Sequence, residues 1–196
     1  MASPTSPLVG APDEFLAAVA GLDVAHVRRE IELSTLPAPA RLAPWTHAVS
    51  ALIHDTDTDE EIGSGRLVLL HNPEGVAAWE GTFRYVAFLS CEVEGGIARD
   101  PLLPDVAWSW LAEVLDQHDV NFTALGGTVT ATSSVRFGDI AGSDRTDDVE
   151  IRASWTAVGN DSASHMRAFI GLLAIAAGLP PEGVVTLSAA KQSGDQ

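Results

Sequence analysis

Two groups of residues in this chain have the types that hold metals or move protons. One is the six histidines, His26, His47, His54, His71, His118 and His165; the other is the acidic run Asp55, Asp57, Asp59, Glu60 and Glu61. The acidic run alternates carboxylates as the first ligands of an EF-hand calcium loop do. Its sixth position is Glu60, where such a loop turns on glycine, and its twelfth is Arg66, where a bidentate glutamate closes the shell. Both diagnostic places fail, so the run reads as a solvated hairpin loop. His47 and His71 fall on two strands that would close around that loop, and Glu74 is a candidate third ligand beside them. No His-Glu-x-x-His or comparable spacing accompanies them. Strand-end histidines bonded to backbone or water are the commoner case. No metal and no cofactor is expected.

Covalent chemistry finds little support. There is no Gly-x-Ser-x-Gly elbow. Cys91 alternates with Phe83, Tyr85, Ala87, Leu89 and Val93, which marks it as a buried, inert thiol. The chain has ten arginines but a single lysine, Lys191, so a Schiff-base or phosphate-loop lysine has no candidate in its body. Gly126-Gly127 precedes a strand, whereas a phosphate cradle opens a helix. Glu92 and Glu150 are candidate paired carboxylates, at a separation sequence does not give. These absences favour a protein that is not an enzyme.

The elements that must position these residues belong to a chain of 196 residues, 46% apolar and 19% charged, with mean hydropathy +0.14. That length supports one domain with a sizeable core. Residues 11–188 read as that domain, between flexible tails at 1–10 and 189–196. The net charge of −16 lacks the basic footprint that direct nucleic-acid binding needs, and an anionic membrane would repel it. The first ten residues show no signal peptide, and the apolar stretch 168–179, broken by Gly171 and Gly178, is too short to span a bilayer. A lone cysteine needs no oxidising compartment, so a cytoplasmic location is expected.

Pro12, Asp13 and Glu14 start a helix with Phe15, Leu16, Val19 and Leu22 on one face, and Asp23 can cap a second helical stretch through Arg28. Residues 30–33 alternate and are readable as a short strand. Residues 47–55 and 65–71 read as a hairpin, Asn72-Pro73-Glu74-Gly75 as a turn, and 81–93 as a third long strand. A helix over 105–118 carries the stripe Val106, Trp110, Leu111, Val114 and Leu115. Two further strands alternate cleanly. Val129, Ala131, Ser133, Val135 and Phe137 oppose Thr128, Thr130, Thr132, Ser134 and Arg136, while Val149, Ile151, Ala153 and Trp155 oppose Glu150, Arg152, Ser154 and Thr156. A last helix runs from Asn160-Asp161 to Gly178, apolar nearly all round from Ala168 and so largely buried. The order α-β-β-β-α-β-β-α predicts an α+β fold: a single antiparallel sheet of about five strands with helices packed on one face.

The blocks RLAPWTHAVSA, GRLVLLHNPEG, AWEGTFRYVAFL, DPLLPDVAWSWLAE, GTVTATSSVRFG, EIRASWT and AAGLPPEGVV, in that order, resemble an actinobacterial family of unknown function. The resemblance implies no activity and assigns no residue a role. The element order is similar to that of type III secretion chaperones and their relatives, which offer a sheet-and-helix surface to a protein partner. The expected function is therefore a protein-binding adaptor or chaperone-like module, with a protein partner or a second copy of itself. The alternative is a small-molecule enzyme with its pocket between the sheet and helix 105–118. Tryptophans at the edges of elements favour interfaces, so Trp45, Trp79 and Trp108, with Arg136 and Arg152 of the polar sheet face, are the candidate binding residues.

Overall fold

A computed structural model describes residues 10–39, 41–55, 58–140 and 145–181. The expected tails lie almost wholly outside these residues. Six strands form one antiparallel sheet: β1 (Ile31–Leu36), β2 (Trp45–His54), β3 (Glu61–Val76), β4 (Gly81–Glu92), β5 (Phe122–Ser134) and β6 (Thr146–Ala157). Their spatial order is β1-β2-β3-β4-β6-β5, so β1 and β5 are the edges. The helices are α1 (Asp13–Gly21), the single turn α2 (Gly95–Ala98), α3 (Leu103–Gln117) and α4 (Ser162–Ala176). The fold is α+β as expected, with six strands because residues 31–36 pair fully with β2.

The strands form where β-branched and aromatic residues alternate, and the alternation decides which face the helices cover. Val49, Ala51, Leu67, Leu69, Phe83, Tyr85, Leu89, Ile151 and Trp155 meet Phe15, Leu111, Val114, Phe169 and Leu173 in one core. Gly65 sits where α4 crosses β3: a Cβ there would stand 2.6 Å from Leu173 Cδ2 and 3.0 Å from Phe169 Cζ. Among the described residues, the other sheet face carries no helix. It buries a small second cluster, Ala48, Val68 and Leu70, against Leu36, Ala38, Ala43, Trp79 and Val86.

Several local expectations are corrected. No second helix follows Asp23, because the stretch to Arg28 is too short to nucleate alone and is held by tertiary contacts. Leu16 is exposed and Ala18 takes its place in the core. In α3, Ala107 is buried and Val106 is 45% exposed, one position round the helix from the expected stripe. Asn72–Gly75 does not end its strand. Asn72 Oδ1 accepts the Glu74 N–H at 3.2 Å in a local excursion, β3 resumes at Val76 opposite Gly81, and the chain reverses at residues 77–80. The expected buried face of β5 is not buried: Val129 is half-buried, Ala131 and Ser133 are exposed, and Val135 and Phe137 lie beyond its end, 52% and 77% exposed. No helix among the described residues is long and apolar enough to cross a membrane.

Candidate functional site

The densest polar chemistry lies inside the core, where β4, β6 and the start of α4 meet. Asp161 caps α4 by accepting the Ser164 N–H at 3.2 Å, which fixes the first turn and turns Ser162 and His165 inward. The Trp155 indole N–H donates to His165 Nδ1 at 2.9 Å, and Tyr85 Oη donates to Ser162 Oγ at 2.9 Å. The His165 ring stacks on Tyr85 with centroids 4.2 Å apart. Burial pushes His165 down to about 4. Burial likewise drives the Tyr85 hydroxyl up to about 12, and the Cys91 thiol of β4 also up to about 12. None of these three groups changes charge near neutral pH. An indole donor at Nδ1 keeps that nitrogen unprotonated, so the cluster reads as a satisfied polar core rather than an acid–base pair. A cavity of about 50 Å³ beside it has room for water and little else.

His71 has different surroundings. It is fully buried, stacked between Phe15 and Phe83 at 5.9 Å and 4.0 Å. Its Nδ1 lies 3.1 Å from the Thr82 carbonyl oxygen. Its Nε2 is 3.0 Å from Glu14 Oε1 but out of line for a hydrogen bond, which leaves a buried nitrogen without a partner. The register sets His71 opposite Trp45, and His47 opposite Leu69. Half-burial lowers the affinity of His47 for a proton, and its ring faces a separate hollow beside α1. The candidate set His47, His71 and Glu74 does not assemble, and among the described residues no three metal-ligating side chains cluster.

The candidate binding residues are spread over several elements. Trp45 is half-buried on β2 with its ring 6.4 Å from Phe15. Trp79, in the turn after β3, packs on the small second cluster, and its carbonyl accepts the Thr156 hydroxyl at 2.5 Å. Trp108 of α3 lies over Gly127 of β5, its Cζ3 2.9 Å from where a Cβ would be. Arg152 lies on the helix-free face of β6, 2.8 Å from Glu150 Oε1 and 5.4 Å over the Phe88 ring, while Arg136 is exposed past the end of β5.

What sequence reading did not place is β5, the strand that ends shortly before Arg136. β5 reads Phe-Thr-Ala-Leu-Gly-Gly-Thr-Val-Thr-Ala-Thr-Ser-Ser over 13 residues, without a charge or a proline. It pairs with β6 on one side, and among the described residues nothing pairs with the other. Arg84 of β4 pins its start, donating to the Ala124 carbonyl at 2.8 Å, Ser154 Oγ at 2.7 Å and Thr156 Oγ1 at 3.0 Å. Trp108 backs its middle. Past its end, Val135, Phe137 and Ile140 stand 52%, 77% and 73% exposed. An uncharged run that long was the legible signal; what sequence did not supply was its place at an edge.

No curated protein and no solved structure matches the chain. Residues 11–185 match the family described as Protein of unknown function (DUF3000). That match spans the whole described core, from α1 through the last residues after α4, and the chain therefore belongs to the DUF3000 family of proteins of unknown function.

Proposed function

We propose that the protein is a binding module, an adaptor or chaperone-like protein of the cytoplasm, that takes an extended segment of a partner protein as an added strand on β5. The observation that carries this reading is the unpaired outer side of a 13-residue edge strand with no charge and no proline. Edge strands normally carry such guards because bare N–H and C=O groups recruit other chains. Strand addition uses those groups for affinity and side-chain contacts for specificity. Val135, Phe137 and Ile140 supply exposed apolar contacts at the strand's end. Charge selects the partner: two copies of a chain at −16 repel each other, whereas a basic segment is drawn in. The elevated Tyr85 and Cys91 and depressed His165 speak against a catalytic centre in the core.

The test is affinity capture from host lysate with wild-type chain, a Thr130→Lys/Thr132→Lys pair on β5, and Ser34→Lys on β1. A basic protein retained by wild type and Ser34→Lys, released by salt, and weakened about tenfold or more by the β5 pair supports the reading. Equal retention by the β5 pair sinks it. A wild-type chain that runs as a dimer dissociated by the same pair would reassign the edge to self-association.

A further inference from the structure

α4 leaves one of its faces only half covered. Arg167, Ile170, Gly171, Ala174 and Ile175 fall at helical spacing on a single stripe, and with Val24 and Leu179 they border a groove of about 710 Å³. Pockets for small ligands span about 300–1,000 Å³. The charged lining departs from the balance of the whole chain. Acidic residues outnumber Lys and Arg 27 to 11 overall, yet the groove has Asp23 as its lone carboxylate against Arg28 and Arg167, with His26 and His118 also in its wall. Arg28 is committed to bracing the wall, 3.0 Å from Glu30 Oε2 and donating to the Pro180 carbonyl at 3.1 Å. Arg167 is exposed and has no partner among the described residues.

A cation at one end of an apolar stripe fits a molecule with the complementary order of parts. We infer that this groove binds a small amphiphile, its unbranched apolar body laid along Ile170, Ala174 and Ile175 and its carboxylate head at Arg167. The apolar body leaves water against half-covered aliphatic side chains, which is the driving force. The guanidinium gives the head a charge-assisted hydrogen bond and so sets polarity and orientation. This site is separate from strand addition on β5 and does not depend on it.

Calorimetric titration of the full chain with sodium decanoate, below its micellar concentration, tests the inference. The expected result is saturable one-to-one binding, weakened about tenfold in Arg167→Gln. Ala174→Phe, which fills the groove with a ring, abolishes it. Decanol, with the same tail and no charge, binds wild type and Arg167→Gln alike. The absence of saturable decanoate binding overturns the proposal. So does unchanged affinity in Arg167→Gln, or full binding by an Ala174→Phe protein whose thermal unfolding matches wild type.

Discussion

The two halves of α4 treat polarity in opposite ways. In its first turn Ser162, Ser164 and His165 are polar and buried, at 5%, 3% and 3% exposure. Toward its end Ile170 and Ile175 are apolar and only half-buried. The first half is inside because its polar side chains find partners there: Asp161 for the helix start, Trp155 for His165 Nδ1, Tyr85 for Ser162. The second half stays half-open because α3 meets it closely at Gly171, where a Cβ would stand 3.3 Å from Val114 Cγ1, while the groove opens between Ile170, Ala174 and Ile175 and the 23–28 segment. Along α4, burial follows the availability of partners, and a face left without one is a surface with something still to bind.

The sharpest way to break that contrast is to remove a partner from the first half. His165→Ala strands the buried indole N–H of Trp155 and widens an existing cavity, for an expected loss of about 3–5 kcal/mol in urea unfolding. A loss below about 1 kcal/mol would mean that the cluster is not core.

Acid should reach the same imidazole. His165 stays neutral in the fold down to about 4, while the unfolded chain takes up its proton near the ordinary value of 6.5. The unfolded state therefore binds more protons between those values. The stability that the neutral ring contributes is complete above about 6.5 and drains away as pH falls toward 4. Its full size is about 3 kcal/mol. Unfolding midpoints followed from pH 7 to 4 should show this slope in wild type and lose most of it in His165→Ala.

Smaller effects sharpen the comparison. Ser162→Ala removes the acceptor of the Tyr85 hydroxyl and should cost about 1 kcal/mol, read as a shift in urea midpoint. Ile175→Ser, in the half-open face, should cost about 0.5 kcal/mol and leave hydrogen exchange in the first turn untouched. A cost above about 2 kcal/mol there would show the groove wall to be core and erase the difference between the two halves.

Much of the frame was readable beforehand, and the particular residues show why. Val149, Ile151, Ala153 and Trp155 are buried as their alternation requires, since a strand's faces are set by a period of two in its own sequence. Cys91 is buried on the face its neighbours predicted. α4 begins after Asp161 and ends before Gly178 because a cap and a stop act locally. Val106 and Ala107 exchanged roles because a stripe is about 100° wide and its edge depends on what packs against it. The candidate binding residues were chosen by type, and sequence held no information on whether they meet.

By itself, then, the sequence determined the local periods, the helix limits, the acidity and the lack of a lysine in the body of the chain. Tertiary structure alone decided that β5 is an edge, that His71 faces Trp45 and Glu14 rather than His47, and that one stripe of α4, a helix apolar nearly all round from Ala168, was left half-covered. The physical reason is range. Period, cap and charge are properties of neighbours along the chain, whereas register, edge position and cover depend on partners tens of residues away, whose identity only packing selects.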